Sequence, residues 1–166
     1  MPCSLAGGIH TQNRDLMKRT AYLLLVAVLA FLPASCYIDG WDNGISGNGN
    51  VTEETRDVSG FTGVHVSSGI DVNVSQGSDF EVVVEADENL QEVIITELKG
   101  SMLVVKTDHV SIRRAARKEV HVTLPELRDL HISSAGDCTG KTPFNCDDLD
   151  ISISSAGDLS LEVEAG

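Results

Sequence analysis

The string HISSAGD, His131 to Asp137, recurs as SISSAGD, Ser152 to Asp158, 21 residues later. A looser relative, HVSSGID, stands at His65 to Asp71. Self-similarity at a fixed period of this length marks units that cannot hide an apolar face alone and must stack to do so. Around each copy the aliphatic residues alternate: Val64 and Val66, then Ile70, Val72 and Val74; Leu130 and Ile132; Leu149, Ile151 and Ile153, then Leu159, Leu161 and Val163. A period of two places every second side chain on one face of a strand, so each unit is a set of short strands with one buried face.

Such units predict an all-β chain: a right-handed β-helix or β-solenoid-like repeat domain with short turns. A β-sandwich also supplies alternating strands and is the alternative, but it does not require near-identical SSAGD strings at fixed spacing. Between the copies, Phe80 to Ala86, Val93 to Leu98, Met102 to Lys106 and Glu119 to Leu124 read as strands. Gly100-Ser101 reads as a hairpin turn, and Asp87 to Glu92 as one helical turn. Leu159 to Glu164 reads as a last strand with no cap after it. An open edge invites pairing with another chain. Residues 51–166 are therefore expected to be a C-terminally truncated piece of a longer protein, or else a domain whose terminal strand is completed by a partner.

The start of the chain follows a different logic. Met17 opens MKRTAYLLLVAVLAFLPASC, in which Lys18 and Arg19 form a basic head and Thr20 to Leu32 an uncharged, largely apolar run of 13 residues. As a helix, that run is roughly 20 Å long at about 1.5 Å per residue, against a hydrocarbon core of about 30 Å. It is too short for a permanent span and reads as a signal peptide over residues 17–35, with residues 1–16 as a mis-assigned N-terminal extension. Leu32-Pro33-Ala34-Ser35-Cys36 places small residues before a cysteine, the pattern that directs lipidation and cleavage at Cys36, although Leu32 sits one place further upstream than usual. Two or three acyl chains on that cysteine suffice for stable anchoring without a membrane span. An ordinary signal peptide with an incidental cysteine is the other reading. Residues 36–50 then form a flexible Gly/Asn-rich tether.

The part after Cys36 keeps 9 of the 12 Lys and Arg but 24 of the 25 Asp and Glu, a net charge of −15. Such a surface repels phosphate backbones and anionic headgroups, so nucleic acid is excluded as an expected partner. The membrane is reached only through the lipid.

Beyond the repeats, Gly47 to Asn50 (GNGN), Thr52 to Gly77 (TEETRDVSGFTGVHVSSGIDVNVSQG), Val84 to Leu90 (VEADENL) and Val122 to Leu127 (VTLPEL) complete a set of strings. Together with the two SSAGD copies, they resemble the head GIN domain family of auto-transporter adhesins. Its members are common as small exported lipoproteins in Bacteroidetes-type bacteria. The likeness covers essentially the whole mature part. It implies a β-helical domain, export to the envelope and further repeats beyond the present end; it carries no established catalytic residues.

Candidate sites are few. Asp71, Asp137 and Asp158 follow the repeated Ser and Gly residues and could stack into a weak cation ladder, calcium favouring such oxygen ligands. The alternative is that each caps its own turn. Cys138 and Cys146 flank TGKTPFN and would meet an oxidising compartment, which allows a disulfide; two free thiols are the other reading. His65, His109, His121 and His131 lack the close spacing of a zinc site. Ser67, Ser68, Ser133, Ser134, Ser154 and Ser155 sit beside no base or nucleophile elbow and are expected to form hydroxyl ladders. The basic cluster Arg113, Arg114, Arg117 and Lys118 reads as a solvated surface element paired with nearby carboxylates. No cofactor and no metal centre is expected.

These features favour a non-enzymatic cell-envelope lipoprotein of the outer membrane or cell surface, an adhesin or a surface binding or structural module with a protein or polysaccharide ligand. The alternatives are a polysaccharide-active β-helix enzyme and a periplasmic sensor or accessory protein. For the enzyme, Asp148 and Asp150 are the pair that can share a strand face.

Overall fold

The computed structural model describes residues 44–154 and 157–165. The leader, Cys36 and the first part of the expected tether lie outside the described residues. The strands run β1 (Ile45–Ser46), β2 (Val51–Thr55), β3 (Gly63–Val66), β4 (Asp71–Gln76) and β5 (Glu81–Asp87). They continue as β6 (Ile94–Lys99), β7 (Met102–Thr107), β8 (Ile112–Arg114), β9 (Lys118–Leu124) and β10 (Asp129–Ile132). The last are β11 (Cys138–Gly140), β12 (Phe144–Cys146), β13 (Asp150–Ile153), β14 (Leu159–Ser160) and β15 (Val163–Ala165). The single helical turn expected after β5 is a 3-10 turn, Glu88–Leu90.

The all-β expectation is met. Five strands pair in the order β13-β10-β3-β7-β6 and six in the order β14-β11-β4-β9-β5-β2. Their apolar faces meet in one core, which is the layering of the sandwich alternative. Within that layering the repeats stack as parallel, in-register rungs. Leu130 pairs with Ile151 and Ile132 with Ile153, and Cys138 pairs with Leu159, each at the 21-residue offset read from the sequence. The looser copy lies on the other side of the same strands, with Val64 beside Leu130 and Val72 beside Cys138. Away from these rungs the pairing turns antiparallel: β6 with β7 through the expected Gly100-Ser101 turn, and β5 with both β9 and β2. Gly100, at φ 63°, supplies the left-handed residue that so tight a turn needs.

One strand assignment is corrected. Leu159 to Glu164 is not continuous but bends into β14 and β15, because the rung below also breaks, at Lys141 to Pro143, between β11 and β12. Phe144 pairs with Val163 across the small β12-β15 sheet.

Low aromatic content throws the core onto aliphatic residues. Val64, Val66, Leu103, Val105, Leu130 and Ile132 point inward from one sheet, and Val72, Val74, Val84, Val120 and Val122 from the other, all buried. Burial of each such side chain contributes about 1.5–3 kcal/mol against exposure. Phe61 and Phe144 are fully buried, and Phe61 packs on the partly exposed Phe80 with ring centroids 5.0 Å apart.

The repeated glycines are explained by rung contact. A Cβ on Gly136 would overlap the Ile70 carbonyl oxygen, and one on Gly157 would overlap the Gly136 carbonyl oxygen. Each SSAGD corner thus lies backbone to backbone on the corner beneath, which only glycine permits. Ile70 occupies the corresponding place in the looser copy and is free to fill the core, since the strands at that level have passed to β7 and β9.

The tether expectation also needs correction for residues 44–50, which are fixed. β1 pairs with β8, and the Gly47 amide donates to the Arg114 carbonyl at 2.7 Å. The fully buried Asp87 carboxylate accepts from the amides of Gly49 at 2.6 Å and Ala116 at 2.7 Å. Asn48 donates its amide to Asn89 Oδ1, and Asn50 reaches Glu88 through its side chain. The GNGN string is therefore a docked strap: its glycine at position 47 leaves room for Asp87, whose charge is neutralised by backbone N–H dipoles.

Candidate functional site

Residues on alternate positions of the six-stranded sheet face away from the core, and register lines up acidic side chains across it. Asp71 pairs with Glu119, Glu119 with Glu85, and Glu85 with Glu53. On the other side, Asp137 and Asp158 immediately precede the Cys138–Leu159 pair and continue the line. The result is a row of six carboxylates, Asp158-Asp137-Asp71-Glu119-Glu85-Glu53, across the outer face. At about 4.8 Å per strand the row is roughly 24 Å long. Neighbouring charges at that spacing repel by about 1 kcal/mol even in water.

Two devices offset the repulsion. At the rung end, the Asp137 amide donates to Asp71 Oδ1 and the Asp158 amide to Asp137 Oδ1, both at 3.0 Å. Asp71, Asp137 and Asp158 thus lie on successive rungs, and the carboxylates of Asp71 and Asp137 accept from the backbone of the next rung. In the middle of the row, Arg117 bridges Glu119 (2.6 Å) and Glu85 (3.3 Å). His121 Nε2 lies 3.1 Å from Glu85 Oε2. Asn73 Nδ2 donates to Glu119 Oε2 at 3.0 Å and approaches His121 Nδ1 at 3.4 Å. Glu85, Glu119 and His121 bring one ligand atom each within 4.8 Å of one another, a metal-ligand grouping among the described residues. The spacing of the histidines along the sequence does not mark His121 as a ligand. The signal was Glu119-Val120-His121, since positions i and i+2 share a face, but the third member lies 34 residues earlier on β5.

Of the serines expected to form hydroxyl ladders, Ser67, Ser68, Ser133 and Ser134 use their hydroxyls between neighbouring strands, and Ser155 lies outside the described residues. The Thr107 amide donates to Ser68 Oγ, and the Ser68 amide to Ser134 Oγ, both at 3.2 Å. Ser67 and Ser133 donate to the carbonyls of Val105 and Val66, the strand-end oxygens of neighbouring strands. On the outer face of the five-stranded sheet, the rings of His65 and His131 lie tilted at 59° to each other with centroids 6.0 Å apart. Burial first, then the charge of His131 and Lys99, lower the pKa of His65. On the same sheet Glu97 is gripped by Lys106 at 2.7 Å and Lys99 at 2.8 Å, and those hydrogen bonds hold its pKa down at about 2.

Cys138 and Cys146 are separate, buried, free thiols, so the disulfide that their spacing allows is not formed. β11 and β12 carry them to different contacts: Cys138 abuts Val72 across β4, while Cys146 Sγ donates to the Leu127 carbonyl at 3.4 Å. Burial pushes the Cys138 thiol up to about 12. Within the basic cluster, Arg117 holds the two glutamates, and Lys118 Nζ donates to the Gly69 carbonyl. Asp147, Asp148 and Asp150 line one cleft of about 500 Å³ with Glu126, Arg128 and Asp129. The cleft thus gathers the pair singled out for catalysis, but every wall residue is charged.

The family model for "Putative auto-transporter adhesin, head GIN domain" matches residues 60–166. The chain belongs to this family. Three solved structures resemble this head GIN chain. A putative adhesin from Bacteroides fragilis NCTC 9343 is 18% identical with a TM-score of 0.66, over 73% of this chain and 58% of that one. A putative lipid binding protein from Parabacteroides distasonis ATCC 8503 is 21% identical with a TM-score of 0.66, over 73% and 53%. A putative adhesin from Parabacteroides merdae ATCC 43184 is 19% identical with a TM-score of 0.61, over 72% and 55%. At these identities the likeness establishes the fold. The head GIN chain spans little more than half the length of these structures. The search of curated proteins returned no match. Among the described residues of this chain, no helix is long and apolar enough to cross a membrane.

Proposed function

We propose that this head GIN chain is an exported envelope protein, lipid-anchored at Cys36 after removal of residues 17–35, whose domain is a non-enzymatic adhesive module. Its contact surface is the outer face of the six-stranded sheet, and the row of six carboxylates on that face carries the reading. A rigid line of negative charge recognises a basic protein surface by electrostatic complementarity. The same face shows no aromatic residue for stacking on sugars among its described positions. The wall residues of the Asp148 and Asp150 cleft offer no apolar pocket of the kind that tunes a carboxylic acid for glycoside cleavage, which weighs against the enzyme alternative.

On the last rung, Ile151 and Ile153 are each 43% exposed and Val163 45%. We read that surface as the seat of further rungs, in keeping with the greater length of the similar structures.

Cell-envelope pull-down with the full chain tests the adhesive reading. A basic partner captured at low salt, and lost when Glu53→Gln, Asp71→Asn and Asp158→Asn are combined, supports it; capture indifferent to both salt and these changes removes it. Metabolic labelling with a palmitate analogue tests the anchor, and label persisting in Cys36→Ser would refute it.

A further inference from the structure

We propose that Glu85, Glu119 and His121 form a binding site for one divalent transition-metal ion of the zinc class. The inference goes beyond the adhesive reading and does not rest on it, because the site is a property of the isolated chain.

The geometry comes from the sheet. Glu119 and His121 are two residues apart on β9, so they project from the same face, and Glu85 on β5 stands directly opposite Glu119. β9 is an interior strand, flanked by β4 and β5. A triad built on it is held by hydrogen bonds on both sides instead of by a loop. The donor set is one imidazole nitrogen and two carboxylates, which suits a borderline ion and not calcium, whose ligands are all oxygen. Three protein ligands leave a fourth tetrahedral position for water. The 3.1 Å between His121 Nε2 and Glu85 Oε2 already approximates the edge of a zinc tetrahedron, about 3.3 Å for bonds near 2.0 Å.

Asn73 supplies the support such a site requires. Its side chain touches both Glu119 Oε2 and His121 Nδ1 from β4. When Nε2 binds the ion, Nδ1 carries the proton and needs an acceptor; rotation of the Asn73 amide presents Oδ1 to it. Ring nitrogens of metal-bound histidines are commonly oriented in this way. Arg117 now supplies the positive charge between the two glutamates, and its side chain is 47% exposed. One charge opposes two carboxylates there, so an ion of charge +2 displaces it to solvent and completes the neutralisation.

Zinc titrated into the full chain against a chromophoric chelator, with cobalt as a spectroscopic substitute, tests the proposal. The expected result is one ion per chain and a cobalt spectrum of four-coordinate nitrogen and oxygen ligation without a thiolate charge-transfer band. His121→Ala and Glu85→Gln each abolish binding or weaken it more than tenfold, and Asn73→Ala weakens it about tenfold, the usual size of a lost supporting bond. Arg117→Met tightens binding, an effect that misfolding cannot produce. Absence of a saturable site, a thiolate band, affinity unmoved by His121→Ala, or weaker binding in Arg117→Met would each overturn the proposal.

Discussion

The backbone N–H of Asp158 donates to the carboxylate of Asp137 at 3.0 Å, and these two residues are 21 positions apart. The bond repeats one step down, from the Asp137 amide to Asp71. The repeated aspartate is thus a rung-to-rung link. It fixes register where a one-residue slip would move every apolar side chain to the wrong face.

Gly136→Ala is expected to be among the most damaging small changes in the chain. The new Cβ would overlap the Ile70 carbonyl, and backbone cannot yield as a side-chain tip can. A loss of about 3 kcal/mol or more is predicted, within the range for severe local strain. Gly157→Ala meets the Gly136 carbonyl nearer the end of the described chain and should cost less. Urea unfolding measures both; a midpoint for Gly136→Ala equal to that of the unchanged protein would contradict the packing.

Asp87 should tolerate neither Ala nor Asn. Its Oδ1 accepts from Gly49, and its Oδ2 from Ala116. Alanine orphans these donors, at about 1–3 kcal/mol each, and asparagine can replace only one of the two accepting oxygens. Hydrogen exchange should show the amides of residues 47–50 exposed in both variants. Unchanged protection there would mean that the strap is held otherwise.

Glu97 gives a pH signature whose sign follows from its pKa, lowered to about 2 by Lys106 and Lys99 from an ordinary 4.5. A depressed carboxylate stabilises the fold above its unfolded pKa, and that contribution is lost as pH falls through the folded value. The stability difference between the protein and Glu97→Gln should be constant above about pH 4.5 and shrink towards pH 2. A difference that does not change over this interval would show that the lysines leave Glu97 unshifted.

Cys138 and Cys146 should resist thiol reagents in the folded protein, and both should react once it is denatured without reductant. Burial that raises a thiol pKa to about 12 leaves almost no thiolate at neutral pH for Cys138. Detection of a Cys138–Cys146 disulfide by mass spectrometry would contradict the free-thiol arrangement.

The rungs were legible in the sequence because the 21-residue period and the alternation of Leu130, Ile132, Ile151 and Ile153 are local, repeated signals. Register between distant strands is not written locally. The row from Asp158 to Glu53 emerges only when β5 turns antiparallel against β9 and β2 against β5, so Glu85 and His121 could not be joined from spacing. Gly47 to Asn50 read as flexible because glycine and asparagine are typical of linkers. Their partner, Asp87, lies 38 residues beyond Gly49. The break between β14 and β15 was hidden because Leu159, Leu161 and Val163 keep strict alternation across the bend.

The most direct test of stacked rungs is interstrand NOE mapping of the labelled protein. Parallel contacts are predicted for all four pairs, Asp129–Asp150, Leu130–Ile151, His131–Ser152 and Ile132–Ile153. Contacts at any other offset, or antiparallel contacts between these segments, would contradict the stacked rungs that carry Asp137 and Asp158 into the carboxylate row.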